Sequence, residues 1–321
     1  MTARPALAWH RKGRVVAPPV PGAPAWWTSC AGIPTCLPLH DRLWRIWFGG
    51  RDVAGRAGVL CVDVDPADGM RVLALRDVPG LERGSEGAFD SAGLWASAVL
   101  EVDGQVLLWY TGMRLARDVP HELAIGLAVS DDGGLSFRKS SRQPVLASGL
   151  PSFATTPCVR RVGNGFEMWY SAGTEWVDTG AGLDPRYDIR RAESADGIDW
   201  VPEPLPAMTL DGTPWAGLTR PWVEAGMGAD TLWFSARGGA TFRQPSADAY
   251  RLHRAPLRAS AVQADAIEAM NLQPSSGPDD WDAWMQTCAC IVPFRGTRVM
   301  FYNGNGFSRT GFGYAIEEVV A

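Results

Sequence analysis

Apolar residues in this chain occur in short runs separated by glycine-rich turns, a pattern that predicts strands rather than helices. A pair of adjacent aromatic residues inside such a run recurs five times, at Trp47-Phe48, Trp109-Tyr110, Trp169-Tyr170, Trp233-Phe234 and Phe301-Tyr302. The pairs follow one another at steps of 60 to 68 residues. Recurrence at a near-constant step is the sequence signature of a repeated structural unit.

Each unit has the same internal order. A strand of small residues and proline, such as AGIPTCLPL or TTPCVRRV, comes before the aromatic strand. A third strand follows and ends at a turn signal, Asp132-Gly133-Gly134 in the second unit and Asp196-Gly197 in the third. About four antiparallel strands in each of five units predict an all-β protein, a five-bladed β-propeller.

We predict a single domain over residues 1–321, with blades at roughly 26–80, 88–145, 150–205, 215–265 and 280–318. A strand near 9–16 is expected to close the ring. The aromatic pairs are expected in the core, because both faces of a middle strand are buried when blades pack face to face.

Composition excludes several classes of function. The chain has 321 residues and a formal net charge of −5, with no basic cluster of the kind that binds nucleic acid. No apolar run approaches the roughly 20 residues that cross a bilayer, and the N-terminal stretch lacks the apolar segment of a secretory signal. We therefore expect a cytoplasmic protein that binds neither nucleic acid nor membranes, with its oligomeric state open.

Cofactor and metal chemistry is not predicted either. The six cysteines are expected to be free thiols in a chain without an export signal, and Cys288-x-Cys290 lacks further metal ligands at workable spacing. The sequence contains neither a phosphate loop nor a Ser-His-Asp order. We predict no metal site and no cofactor.

Several segments resemble a known group of proteins. The stretches GLAVSDDGGLSF, MWYSAGTEW, YDIRRAESADGIDW and MFYNGNGFSRTGFGYA resemble five-bladed propellers related to glycoside hydrolases. These form the arabinanase/xylosidase and invertase/levansucrase superfamily, which includes uncharacterised glycosidase-like members from bacterial polysaccharide gene clusters. The resemblance spans nearly the whole chain. It implies a sugar ligand and carboxylates at the inner rim of the central channel, where two such groups flank the scissile bond.

This chain departs from that acidic pattern. The first, third and fourth units carry no acid where the innermost strand begins, and Trp284 stands where related sequences tend to have Glu. Asp90 and Asp282 precede innermost strands, so we predict them as the acid/base pair, with strand capping as the alternative. His121 lies on a loop and is a third candidate acid or base, because the pKa of imidazole lies near 6.5.

Ligand contacts are predicted for residues near the same rim. Tryptophans that precede or begin innermost strands suit sugar faces, and Arg220 is expected to face the channel as a carboxylate partner or an anion clamp. The predicted binding residues are Trp26, Trp27, Arg220, Trp222, Trp281, Trp284, Arg186 and Tyr187.

Three functions remain open from the sequence. The leading hypothesis is a glycosidase-like enzyme that acts on a glycoside or a sugar-containing small molecule in an axial pocket. The second is a cyclase or lyase of secondary metabolism that folds a hydrophobic substrate in a tryptophan-lined channel. The third is a propeller that binds carbohydrate without catalysis.

Overall fold

The computed structural model describes residues 7–18, 20, 22–148, 152–180, 182–226, 229–239, 241–273 and 277–319. Within these ranges the protein is nearly all β. The helical segments are the single turn α1 (Asn305–Ser308) and two 3₁₀ turns, Pro66–Asp68 and Ala264–Ala266. No described helix has the length and apolar character needed to span a membrane.

The strands form five antiparallel units, preceded by β1 (Leu7–Val16). Unit 1 contains β2 (Ser29–His40), β3 (Leu43–Arg51), β4 (Ala57–Asp65) and β5 (Arg71–Asp77). Unit 2 contains β6 (Gly93–Val102), β7 (Gln105–Arg114), β8 (Glu122–Ser130) and β9 (Arg138–Lys139). Unit 3 contains β10 (Ala154–Val162), β11 (Gly165–Asp178), β12 (Leu183–Ser194) and β13 (Val201–Pro202). Unit 4 contains β14 (Gly217–Glu224), β15 (Asp230–Arg237), β16 (Arg251–Arg258), β17 (Ala261–Val262) and β18 (Glu268–Ala269). Unit 5 contains β20 (Thr287–Phe294), β21 (Thr297–Asn303) and β22 (Phe312–Val319), and β19 (Leu272–Gln273) precedes it.

Hydrogen bonding groups these strands into four sheets. Units 3 and 4 are separate sheets, whereas units 1 and 2 share one sheet through a single parallel pair, Ala57 with Gly93. The N-terminal strand β1 pairs antiparallel with β22 and completes the sheet of unit 5. The two ends of the chain therefore meet in one sheet.

The first strands of the five units surround a common axis. β2 contacts β6, β6 contacts β10, β10 contacts β14, β14 contacts β20, and β20 contacts β2. We call this closed set the central strand ring. The aromatic pairs lie in the second strands, and all ten of their side chains have no exposed surface, which confirms their prediction as core. Burial of one such tryptophan stabilises the fold by about 2–3 kcal/mol.

The hairpin of unit 3 is longer than its sequence indicates. In the polar stretch after the aromatic pair, β11 continues to Asp178 and β12 begins at Leu183, with Trp176 opposite Pro185 and Val177 opposite Asp184. Trp176 therefore lies in a strand of this hairpin.

Each first strand contains a β-bulge near its middle, and four of the bulges hold a residue in the left-handed region. These residues are Ile33 (φ 56°), Thr156 (φ 49°), Arg220 (φ 53°) and Cys288 (φ 61°). Positive φ is costly for residues other than glycine, by about 1–3 kcal/mol, and it persists only where surrounding contacts impose it.

Polar side chains of neighbouring units supply those contacts. Asn303 Oδ1 accepts from the Ile33 backbone N–H at 2.8 Å, across the junction between unit 5 and unit 1. Thr111 Oγ1 accepts from the N–H of Thr156 at 2.9 Å, and Ser235 Oγ accepts from the N–H of Cys288 at 3.0 Å. Each acceptor directly follows its unit's aromatic pair, so the same strand both fills the core and fixes the next bulge.

Arg220 lies at the centre of the strand ring with no exposed surface. Its Nη1 donates to the carbonyl oxygens of Ser97 and Pro157, and its Nη2 donates to the carbonyl of Pro34 at 3.2 Å and to Thr35 Oγ1 at 3.3 Å. One guanidinium from unit 4 is therefore bonded to the first strands of units 1, 2 and 3.

We expect Arg220→Met to lower the free energy of unfolding by about 3 kcal/mol or more, because buried carbonyls of three strands lose their donor. Urea unfolding followed by tryptophan fluorescence measures this. Arg258→Met is the matched control, since Arg258 is exposed at the end of β16. Equal stability of Arg220→Met and the control would show that the central guanidinium does not hold the ring together.

Candidate functional site

Side chains from four units meet at the end of the axis where the first strands begin. Trp95 and Phe153 lie at the starts of β6 and β10, and Met285 directly precedes β20. One apolar cluster joins them, which we call the axial aromatic cluster. Its members are Leu123, Phe153, Tyr187, Phe242, Ala249, Tyr250 and Met285, with Trp95, Met113, Trp176 and Trp284 packed against them. Unit 1 touches Trp95 through Gly49, where a Cβ would lie 3.2 Å from the Trp95 Cβ. The solvent-facing surface of this cluster is called the axial mouth below.

Phe153 and Tyr187 form the centre of the cluster. Their rings are stacked, with centroids 5.3 Å apart and an interplanar angle of 18°. Gly173 and Gly217 allow this packing, since a Cβ on Gly173 would lie 2.6 Å from Phe153 and one on Gly217 would lie 2.7 Å from Tyr187. Two small residues in the neighbouring strands thus leave room for the aromatic rings.

Arg237 fixes the ring of Tyr187 from unit 4. Its Nε donates to the Tyr187 hydroxyl at 3.1 Å, its Nη2 donates to the carbonyl of Pro185 at 2.5 Å, and its guanidinium lies 3.9 Å from the ring centroid of Phe242. Burial raises the pKa of the Tyr187 hydroxyl. The phenol therefore stays protonated at neutral pH.

His121 stands at the edge of this cluster and is half-buried. Its ring centroid is 5.3 Å from that of Trp176, edge to face, and 6.0 Å from that of Phe153. Burial lowers the pKa of His121, and the positive charges of Arg243 and Arg51 lower it further. The imidazole is therefore neutral at neutral pH, which is the form that accepts a proton.

The two arginines reach His121 from different units. Arg51 ends β3 in unit 1 and donates to the carbonyl of Gly55 at 2.7 Å. Arg243 is exposed, lies 4.2 Å from the ring centroid of Phe242, and pairs with Asp184 at 2.6 Å. The mouth therefore combines aromatic faces, a neutral imidazole and two cations.

Asp282, a predicted catalytic acid, has no exposed surface and lies in an ion pair. Arg11 donates to both of its oxygens, Nη2 to Oδ1 at 2.6 Å and Nε to Oδ2 at 3.0 Å, and the Tyr302 hydroxyl donates to Oδ2 at 2.8 Å. Burial raises the pKa of Tyr302, and the charge of Asp282 raises it further. The carboxylate thus connects β1, the N-terminal strand, to the aromatic strand of unit 5.

Asp90, the other predicted acid, has the same kind of environment in unit 2. It is 3% exposed, accepts from the Tyr110 hydroxyl at 3.3 Å, and pairs with Lys139 Nζ at 2.5 Å. Burial and the charge of Asp90 raise the pKa of Tyr110. The contacts found for Asp90 and those found for Asp282 share no residue.

In four of the five aromatic pairs, the residue facing the second member changes with that member. At Tyr110 and Tyr302, an aspartate accepts the tyrosine hydroxyl. Where it is phenylalanine, a tryptophan packs on it. Trp27 lies 5.6 Å from Phe48, and Trp215 lies 5.7 Å from Phe234, both edge to face. This correspondence gives Asp90 and Asp282 a structural partner in the core.

The predicted binding residues fall into several places. Tyr187 and Trp284 belong to the axial aromatic cluster. Arg220 and Trp222 lie on the axis itself, with the guanidinium 5.6 Å from the indole centroid of Trp222. Trp281 stacks on Tyr302 at 5.1 Å.

Two predicted residues line cavities away from the axis. Trp26 lines a cavity of about 420 Å³ at the edge of unit 1. Arg186 lines a smaller one of about 200 Å³ beside Arg237 and pairs with Glu175 at 3.3 Å.

Phe153, Trp176, Phe242 and Arg243 were not predicted. They lie on three different segments that meet only when units 3 and 4 pack side by side. The available signal in the sequence was Trp176. It lies in the polar stretch after the aromatic pair, where packing within its own sheet does not explain a tryptophan.

The thiols and carboxylates add no further chemistry at the mouth. All six cysteines are free, and burial raises the pKa of Cys36, Cys158 and Cys290. In the part of the chain that the structure describes, no three His, Cys, Asp or Glu side chains are grouped so as to hold a metal ion.

We expect Asp282→Asn to lower the free energy of unfolding by about 3 kcal/mol, because it removes one charge of a buried, hydrogen-bonded ion pair. Asp279→Asn, an exposed neighbour, is the matched control. Urea unfolding of both variants checks this, and a change no larger than that of the control would mean that Asp282 is not held for stability.

We expect His121 to titrate below the pKa of about 6.5 that is typical of an unperturbed imidazole. Since Arg243 repels the protonated ring, Arg243→Gln should raise the midpoint, and Arg258→Gln should leave it unchanged. Proton NMR of the imidazole resonance, assigned by its loss in His121→Gln, measures the midpoint. A midpoint above 6.5 in the wild type would contradict this electrostatic environment.

Solved structures with a similar fold are glycoside hydrolases. One, from work on the GH130 family of mannoside phosphorylases and its glycoside hydrolases that target beta-1,2 mannosidic linkages in Candida mannan, has 13% identity and a TM-score of 0.69, covering 98% of this chain and 95% of that one. A glycosyl hydrolase from Bacteroides ovatus has 14% identity and a TM-score of 0.67, covering 96% and 93%. The GH32 beta-fructofuranosidase BmSUC1 of Bombyx mori has 15% identity and a TM-score of 0.59, covering 97% of this chain and 61% of the enzyme. These comparisons show that the chain has a glycoside hydrolase-like propeller fold.

Two relatives in sequence carry the name uncharacterized protein. No family model matches the chain. The uncharacterized protein Rv1502 of Mycobacterium tuberculosis strain ATCC 25618 / H37Rv is 33% identical over 319 residues, which cover 97% of this chain and 100% of the relative. The uncharacterized protein MT1551 of strain CDC 1551 / Oshkosh matches with the same identity and coverage. At this identity over almost the whole of both sequences, the chain belongs to the same family as Rv1502 and MT1551 of Mycobacterium tuberculosis.

Proposed function

We propose that this protein is a glycosidase-like enzyme that acts on a glycoside, or on another sugar-containing small molecule, at the axial mouth. His121 serves as the acid or base, and Trp176 provides an aromatic face for the sugar. We also infer that the five antiparallel units are five blades of one propeller domain, since their first strands contact one another in a closed ring.

One observation carries the proposal. A half-buried imidazole from unit 2 lies against an indole from unit 3, and its pKa is lowered by burial and by arginines from units 4 and 1. Residues with a perturbed pKa, beside an aromatic face at a place where several structural units meet, are typical of binding and catalytic sites.

The sugar class is supported by the fold and by the chemistry of the mouth. The similar solved structures are glycoside hydrolases, although the fold alone does not fix an activity. Indole and phenyl faces suit the C–H faces of sugar rings, while Arg51 and Arg243 can donate to hydroxyl or anionic substituents. These residues favour a ligand that is hydroxyl-rich, anionic, or both.

The lowered pKa favours a role for His121 as a base at neutral pH. A neutral imidazole accepts the proton of an attacking water or hydroxyl as the new C–O bond to the anomeric carbon forms and the glycosidic C–O bond breaks. The departing oxygen takes a proton from water, and the imidazolium returns its proton to solvent. Protonation of the free enzyme at low pH removes the base, so we expect kcat/KM to fall on the acid side with the pKa of His121.

The test is a panel of aryl glycosides assayed with wild type, His121→Gln and Trp176→Ala. We expect His121→Gln to lower kcat by about 10²-fold or more, in the range of a lost general acid or base. Trp176→Ala should raise KM by about tenfold, the equivalent of 1.4 kcal/mol of binding. Thermal unfolding verifies that both variants fold.

His40→Gln is the matched histidine control, because His40 is exposed in the β2–β3 hairpin. The same assays include Asp90→Asn and Asp282→Asn, the acid pair predicted from the sequence. We expect these two to lose stability rather than activity per folded molecule. Activity that survives His121→Gln but disappears with either aspartate would overturn the role of His121, and binding of glycosides without turnover would overturn the enzymatic part.

A further inference from the structure

A cavity of about 420 Å³ lies at the side of unit 1, off the axis. Its wall is apolar, from Val59, Val78, Pro79 and Leu81, and Trp26 lies among these residues. The segment 78–84 closes one side as it leads from β5 to unit 2, and it is held there by Phe137 N–H, which donates to the carbonyl of Pro79 at 2.8 Å. The cavity is therefore lined by unit 1 and by this segment, which a hydrogen bond joins to unit 2.

Trp26 presents its ring in a fixed orientation. Its Nε1 donates to Asp77 Oδ1 at 2.5 Å, and its six-membered ring lies on Gly58, where a Cβ would come within 2.8 Å of the indole Cη2. A hydrogen bond therefore holds one edge of the indole, and one face of the ring packs on the backbone of β4 at Gly58. The indole remains half-exposed towards the cavity.

Polar groups stand around this aromatic wall. Asp77 and Glu82 are exposed carboxylates, with Glu82 Oε1 also accepting from the N–H of Gly80 at 3.1 Å. Arg83 lies within 3.4 Å of Asp52 and is only partly exposed. Acceptors and a donor around one indole face match the hydroxyls and the C–H face of a sugar ring.

The cavity is separate from the axial mouth. The loop between β3 and β4, residues 52–56, lies between them, with Asp52 fixed by the backbone N–H groups of Ala54 and Arg56. Arg51, at one end of this loop, contributes to the charge at His121, whereas Gly58, beyond the other end, supports Trp26.

We propose that this lateral cavity is a second sugar-binding site, in which a pyranose or furanose ring packs on Trp26 and donates hydroxyls to Asp77 and Glu82. It binds independently of the axial mouth. It neither requires nor supplies catalysis, so it can hold a sugar even if the axial site has another ligand.

The indole N–H resonances of a ¹⁵N-tryptophan-labelled protein test this directly, with methyl glycosides of several hexoses and pentoses as probes. We expect the Trp26 resonance, assigned by its absence in Trp26→Phe, to shift in a saturable way. The Trp176 resonance reports the axial mouth in the same spectra. A shift at Trp26 without one at Trp176 would support the lateral site and count against the proposed function, and the reverse result would overturn the lateral site alone.

Two variants test separately the Trp26 indole and Gly58, the residue on which it packs. Trp26→Ala should weaken the affinity of the lateral site by at least about tenfold, as followed by saturation-transfer NMR in the His121→Gln background. Gly58→Ala should weaken it similarly, because the new methyl displaces the ring while the indole stays in the chain. Gly239→Ala is the matched control, since its methyl would meet only an ordinary contact at 3.9 Å.

One further outcome decides the ligand class. Tetramethylammonium, a cation that suits an indole beside two carboxylates, is titrated against the same resonance. If it shifts Trp26 and no glycoside does, the cavity binds organic cations and the sugar proposal is wrong.

Discussion

The interaction on which this fold depends is that of the Arg220 guanidinium with the carbonyls of Pro34, Ser97 and Pro157. A buried charge is costly unless its donors are satisfied. Here Nη1 and Nη2 donate to carbonyls of three strands that approach one another only when the central strand ring is closed. Arg220 itself has a left-handed backbone, and its N–H is accepted by Thr156 Oγ1 at 3.2 Å. The strain at this residue is thus offset by bonds made at the same point.

Arg220 also packs beside Trp222, with the guanidinium 5.6 Å from the indole centroid. The proposed ligand site is the axial aromatic cluster, at the end of the central strand ring where the first strands begin. The two aspartates predicted as catalysts lie elsewhere, each paired with a cation and with the hydroxyl of a core tyrosine. The chain has the fold of glycoside hydrolases, and the group that we propose for proton transfer at the mouth is an imidazole.

The fold could be predicted from the sequence because its signals are local. Each aromatic pair, with its preceding small-residue strand, identifies one unit, and the strand at 9–16 was expected to close the ring. Some of the site could also have been found. Phe48 and Phe234 face Trp27 and Trp215, whereas Tyr110 and Tyr302 face Asp90 and Asp282. This correspondence is visible in the sequence once the units are aligned.

The remainder of the site depends on packing between units. The contact between His121 and Trp176 cannot be predicted from sequence spacing, because the two residues lie on different hairpins. In addition, the hairpin of unit 3, which carries Trp176, extends four residues further than its composition suggests. Likewise, nothing in the sequence TRPWVE shows that Arg220 donates hydrogen bonds to backbone carbonyls rather than to a ligand. Those carbonyls come from segments more than 60 residues away.

The most direct test of this account is a crystal structure of the protein soaked with a glycoside taken from the turnover panel. We expect the sugar at the axial mouth, in contact with His121 and the Trp176 ring, while Arg220 keeps its three carbonyl partners beneath it. A sugar found inside the strand ring, with Arg220 displaced onto it and the aspartates turned towards it, would contradict the account.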